Sequence, residues 1–180
     1  MERFRNLYKI DSTRHPSWDY SWQGIYYVTI CTLDKENYFG EIVDKHVVLN
    51  KLGKFANKQW LLTPNIRPDM NIKLGAHIIM PNHVHGIIKI GDNIFNRIRN
   101  NEMRGRDAMH CVSTLGKFGP QRKNLSSIIR GYKSCVTTFA RKNDLIFDWQ
   151  SRFDDRIIDD INGLMFCEQY IRNNPIHYKK

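Results

Sequence analysis

Two histidines separated by a single residue, His83-Val84-His85, are the residues of this sequence best suited to chemistry. On an extended strand successive side chains alternate, so both imidazoles project from one face while Val84 points to the other. Two imidazoles a strand-step apart can hold one divalent metal, with Val84 anchoring the pair to the core. The same spacing also fits two surface histidines beside a turn, and the chain has 7 histidines in all. A third ligand must come from another element.

The last helical stretch offers one. Tyr170 and Asn174 are spaced i and i+4 and so stack on one helix face. Cys167 continues that stripe, and Leu164 and Ile171 lie beside it to dock the helix. Tyr170 then reads either as a functional phenol or as a residue at the edge of the core. A tyrosine hydroxyl, with a pKa near 10, attacks a phosphodiester only if a metal withdraws charge from the phosphate oxygens and orients the displacement. Two neutral imidazoles and a neutral amide leave the metal's charge available for that task. The set suits Mg²⁺ or Mn²⁺, though histidines also bind zinc or nickel. Tyr132 is the rival phenol, but it sits in an apolar stripe without an amide at i+4. Tyr178, near the end of the sequence, is a third.

The elements that must position these groups are legible as patterns. Ile25 to Leu33 is β-branched and aromatic, a strand with Tyr26, Val28 and Ile30 facing the core. Tyr38 to Val43 suggests a second short strand. Over 46–62, Leu49, Leu52, Phe55, Ala56 and Trp60 recur at helical steps, and Pro64 and Pro68 are expected to block continuation. Ile72–Met80 and His83–Ile90 read as antiparallel strands joined by a turn at Pro81-Asn82. Leu125 to Ala140 is an amphipathic helix capped by Asn124, with Gly131 costing about 1 kcal/mol unless close packing explains it. Leu145 to Phe153 reads as a further strand. The last helix starts at Asp160 or Asn162, with Pro175 expected to end it after Asn174. Helices interspersed with hairpin-joined strands favour an α+β fold with an antiparallel sheet.

Residues 1–23 lack periodicity and read as an arm whose Trp18 and Trp22 pack on the body. Residues 24–178 read as one domain, carrying a flexible basic insertion at about 92–123 rich in arginine and punctuated by glycines. The 180-residue length fits a single domain. Lys plus Arg number 28 against 18 acidic residues, a net +10 that favours a polyanionic partner. No apolar run is long enough to span a bilayer, the start lacks a secretion signal, and the scattered cysteines read as reduced. The expected setting is cytoplasmic, without a membrane partner.

Met80-Pro-Asn-His-Val-His-Gly-Ile-Ile-Lys-Ile90 resembles the histidine-hydrophobic-histidine (HUH) motif of single-tyrosine DNA transposases. The chain is most similar to the REP-associated tyrosine transposases of the insertion-sequence 200-like superfamily. Gly24-Ile-Tyr-Tyr-Val-Thr-Ile-Cys-Thr32 resembles that family's opening strand, Leu125-Ser-Ser-Ile-Ile-Arg-Gly-Tyr-Lys-Ser134 its central helix, and Trp149-Gln-Ser-Arg-Phe153 the segment after it. Tyr170-Ile-Arg-Asn-Asn-Pro175 resembles the catalytic helix. The resemblance implies a ferredoxin-like antiparallel sheet with helices packed on one face. It also implies cleavage of single-stranded DNA beside a hairpin, by a homodimer. Tyr170 would be the nucleophile forming a 5′-phosphotyrosine, and His83, His85 and Asn174 would be the ligands of Mg²⁺ or Mn²⁺. Where relatives follow the Trp149–Phe153 segment with an aromatic, an acid and a histidine, this chain has Asp154, Asp155 and Arg156.

Single-strand binders join basic grooves to aromatic platforms, each stacked base contributing about 1–3 kcal/mol. Arg130, Lys133 and Arg141 on the central helix, and Arg97, Arg99, Arg104 and Arg106 in the insertion, form the candidate phosphate-binding group. Two other readings remain open at this point. One is a domesticated regulator that binds DNA hairpins without cutting. The other is a metal hydrolase that activates water.

Overall fold

The computed structural model of the protein describes residues 2–4, 8–10, 18–97 and 123–178. Strands β1 (Glu2–Phe4) and β2 (Tyr8–Ile10) pair as a hairpin within the expected arm. The body begins with β3 (Gly24–Cys31), followed by a second hairpin of β4 (Gly40–Val43) and β5 (His46–Leu49). Helix α1 (Lys51–Ile66), strands β6 (Ile72–Ile79) and β7 (His83–Ile90), helix α2 (Leu125–Lys142), strand β8 (Asp154–Ile158) and helix α3 (Ile161–His177) complete the order.

The four-stranded sheet runs β6-β7-β3-β8 with every pairing antiparallel. A β-α-β-β-α-β order wound in this way is the ferredoxin-like arrangement that the family resemblance implies. Alternation in β3 sends Tyr26, Val28 and Ile30 into a core shared with Val84 and Ile88 of β7, Leu52, Ala56 and Trp60 of α1, and Ile128, Ile129 and Val136 of α2. Trp60 can lie flat against the sheet because residue 86 is glycine. A Cβ there would fall 2.2 Å from the indole. Gly131 likewise clears room for Arg67, whose Nη2 donates to the Ser127 carbonyl at 2.7 Å and would stand 2.6 Å from a Cβ at 131.

The helices do not all share one face. Helices α1 and α2 cover one side as expected, but α3 buries Cys167 and Ile171 against Ile87 and Ile158 on the other, with Ile25, Tyr27 and Ile78 around them. The odd positions of β3 carry enough apolar surface to seat a helix, a feature hidden when only the even stripe is taken as core.

Several boundaries also move. The expected helix over 46–62 opens instead as strand β5, because Asp44 and Lys45 both adopt positive φ (48° and 64°) and turn the chain into a hairpin. Asn50 then caps α1 by accepting from the Gly53 N–H at 3.0 Å. Pro64 lies inside that helix and Pro175 inside α3. Each forfeits one backbone donor, and its helix ends two residues later. Leu145–Phe153 forms a single bridge, Trp149 to Thr32, in place of a strand. Phe147 and Trp149 plug the core there, and Arg152 at φ 66° breaks the extension before β8. Asn124 caps α2 reciprocally with Ser127, as the sequence suggests. Among the described residues no helix is long and apolar enough to cross a membrane, and Cys31, Cys135 and Cys167 are free thiols.

Candidate active site

Strand pairing sets the site's floor. Thr29 lies opposite His85 and Cys31 opposite His83, so these four residues share the α3 face while Val84 is fully buried beneath it. The expected alternation about Val84 holds. Helix α3 forms the wall: Asp160 caps it by accepting from the Gly163 N–H at 2.6 Å, and its apolar stripe sets its rotation. That rotation brings Asn174 and Tyr170 over the imidazoles.

The two imidazoles have ring centroids 4.5 Å apart. His83 Nε2 is 3.3 Å from Asn174 Oδ1, and Asn174 itself is only 9% exposed. Tyr170 stands edge-on to His85 at a centroid distance of 5.5 Å and to Tyr27 at 6.4 Å. With 48% of its surface exposed, Tyr170 is open to solvent. All of these groups belong to one chain. His83, His85, Asn174 and Tyr170 line an open cavity of about 380 Å³, with Lys35, His177 and Tyr178 on its rim.

Each histidine is held through Nδ1. His85 Nδ1 lies 2.7 Å from the Tyr27 hydroxyl and 3.0 Å from Thr29 Oγ1. His83 Nδ1 lies 2.7 Å from Asn82 Oδ1. Partners at Nδ1 leave Nε2 of both rings for a ligand, the usual outer support of metal-binding histidines. Burial, and secondarily the neighbouring His83, pushes the His85 pKa down to about 3. Burial also lowers that of His83, against the opposing hydrogen bond from Asn174. Both rings are therefore neutral at pH 7 and keep the lone pairs a cation needs.

Two imidazole nitrogens and an amide oxygen converging in a cavity fit a divalent metal that completes its shell with water and phosphate oxygens. Among the described residues no group of three or more His, Cys, Asp or Glu side chains gathers to hold a metal, so this mixed neutral set is the candidate.

The rival phenols behave differently. Tyr132 is buried on the opposite face against Trp60, at 5.4 Å between centroids, and burial raises its pKa. Tyr178 lines the rim, where its hydroxyl donates to Asn37 Oδ1 at 2.7 Å. The four described candidate phosphate-binding cations, Arg97, Arg130, Lys133 and Arg141, do not line the cavity. Arg97 pairs with Asp92, Arg130 and Arg141 are exposed on α2, and Lys133 Nζ donates to the Gln150 and Arg152 carbonyls at 2.6 and 3.0 Å. Arg99, Arg104 and Arg106, with most of the expected insertion, lie outside the described residues. Asp154 and Arg156 face the same side of the sheet as the histidines, and Asp155 faces the other. Sequence reasoning missed Tyr27, Thr29, Asn82 and Lys35. Polar residues alternating with the core stripe of β3 were the available signal for the first two.

No family model matches the chain. It is 34% identical over 170 residues to a Haemophilus influenzae protein described as uncharacterized, covering 94% of this chain and 89% of that protein. In structure it is similar to a REP-associated tyrosine transposase solved bound to a REP hairpin. The TM-score is 0.53 at 16% identity, over 91% of this chain and 73% of the other.

Proposed function

This chain belongs to one family with the Haemophilus influenzae protein and has the fold of the REP-associated tyrosine transposase. From that premise and the geometry of its site, we propose that it is a metal-dependent single-stranded DNA endonuclease and strand transferase acting beside hairpins. The observation that carries the reading is the meeting of Tyr170 with His83, His85 and Asn174 in one cavity.

His83 Nε2, His85 Nε2 and Asn174 Oδ1 would hold Mg²⁺ or Mn²⁺. That ion, when bound, would draw charge from a phosphate oxygen and orient it. Tyr170 Oη attacks the phosphorus and gives its proton to solvent. The bond to the 3′ oxygen breaks, leaving a free 3′-hydroxyl and a 5′-phosphotyrosine. Attack by a 3′-hydroxyl on that link restores a phosphodiester and frees the tyrosine, so strand transfer needs no external energy. Lys35 on the cavity rim is placed to contact a phosphate. The net charge of +10 supports a polyanionic substrate whose affinity falls steeply with salt. A homodimer belongs to the same proposal, and sedimentation of the full chain tests it.

The decisive test incubates the protein with Mg²⁺ or Mn²⁺ and end-labelled, hairpin-bearing single strands. A covalent adduct that survives denaturation and disappears in Tyr170→Phe supports the reading. Undiminished adduct in that variant removes Tyr170 from the role. Hairpin binding indifferent to both the variant and chelation would instead identify a non-cleaving regulator, and free 5′-phosphate ends a water-activating hydrolase.

A further inference from the structure

We propose that Asn82 is a positioning residue: its carboxamide fixes the tautomer of His83 and ties the turn carrying Lys35 to the histidine strand. The consequence for metal binding rests on the function proposed above; the tautomer itself does not.

The two ends of this carboxamide have unlike partners. One end, Nδ2, lies 3.1 Å from the Lys35 carbonyl oxygen. A carbonyl only accepts, so that end must be the amino group. The other end, Oδ1, then faces His83 Nδ1 at 2.7 Å. An amide oxygen also only accepts, so the imidazole proton must sit on Nδ1. A neutral imidazole has one N–H, and the lone pair is left on Nε2, directed at Asn174 Oδ1 3.3 Å away. Two acceptors facing one another suit a shared cation, or an Asn174 amide turned to donate when no cation is present.

Asn82 is itself held firmly. Its backbone carbonyl accepts from the Thr32 N–H at 3.0 Å and from Thr32 Oγ1 at 2.8 Å, and Thr32 is fully buried. The neighbouring turn is strained. Asp34 and Lys35 sit at φ 51° and 58°, where non-glycine residues are uncommon. Tethering the Lys35 carbonyl in that conformation sets the course of its side chain along the rim of the cavity. One side chain thus couples a candidate ligand, through its Nδ1, to a cation suited to a phosphate oxygen.

Long-range ¹H–¹⁵N correlation of the metal-free full chain reads the tautomer directly, and Mn²⁺ titration reads its consequence. Wild-type His83 is expected as the Nδ1–H form. Asn82→Ala should lose that preference and weaken Mn²⁺ binding about 10–100-fold, the range for outer-shell partners of ligating histidines. Asn82→Asp still accepts from Nδ1 but sets a carboxylate against the Lys35 carbonyl. It should restore the tautomer and hold Mn²⁺ more tightly than Asn82→Ala does, while DNA affinity falls below wild type in both variants because the Lys35 turn is no longer tethered. A wild-type Nε2–H form or an even mixture overturns the proposal, as does an Asn82→Ala variant with unchanged tautomer and Mn²⁺ affinity. Should Asn82→Ala not fold, wild type and Asn82→Asp decide. Should wild type bind no Mn²⁺, the metal function falls and the tautomer still judges Asn82.

Discussion

The two faces of the central sheet use the same residue types to opposite ends. On the α1–α2 face, Tyr132 and His77 are packing groups. The tyrosine stands edge-on to Trp60, and the histidine stacks on the same indole while contacting Asn57 Oδ1 at 3.0 Å. On the α3 face, Tyr170 and the pair His83 and His85 line an open cavity. Two helices close the first face and one helix only partly covers the second. Coverage, more than residue type, separates a packed phenol from one open to solvent.

The largest expected effect is at the open face. Tyr170→Phe should reduce covalent adduct by at least about 10⁴-fold with stability changed by less than about 0.5 kcal/mol, since the lost hydroxyl is solvent-accessible. Gel analysis of the adduct and urea unfolding read the two halves. Tyr132→Phe should leave the adduct intact. Its buried hydroxyl has no hydrogen-bond partner among the described residues, so removing it should be neutral or mildly stabilising. Adduct lost in Tyr132→Phe and retained in Tyr170→Phe would invert the comparison.

Trp60→Ala should destabilise by about 3–5 kcal/mol, the range for emptying an aromatic site in a core. Thermal and urea unfolding check this, and a loss below about 1 kcal/mol would mean that face is not the packed one. His85→Ala should leave the fold largely intact while weakening Mn²⁺ binding more than about 100-fold, because a ligand and not merely its support is removed. Unchanged calorimetric titration would remove His85 from the metal site.

The smallest effect is a pH dependence on the closed face. Burial lowers the His77 pKa below its ordinary value of 6.5. The unfolded chain therefore takes up a proton that the folded chain resists as pH falls through that value, and stability drops toward acid. The contribution is fully present above pH 7. His77→Gln should flatten the slope of urea midpoint against pH between 7.5 and 5.5, and an unaltered slope would sink the assignment.

Much of this organisation is legible in the amino-acid order, and the misses have physical causes. The alternation in Ile25–Leu33, the Pro81-Asn82 turn and the Asn124 cap are local signals, set by neighbours within a few residues. Strand β5 was hidden because Leu49 also continues the helical stripe of α1, and only the left-handed Asp44-Lys45 turn resolves the two periods. Leu145–Phe153 has strand composition, but its aromatic rings are spent on plugging the core and it gains one bridge. Tyr27, Thr29 and Asn82 fall within segments that resemble the family's, yet carried no legible role because their contacts run across strands and between loops.

The amino-acid order alone determined the α+β class, the strand that carries two imidazoles on one side, and the helical stacking of Tyr170 with Asn174. Those features follow from periodicities of two and 3.6, which are properties of a local backbone. Only the tertiary structure decided that α3 lies on the histidine face, which phenol stays open to solvent, and which nitrogen of His83 is left for a ligand. Each of those depends on which distant surfaces exclude water together, and burial is a property of the assembled chain, not of any segment within it.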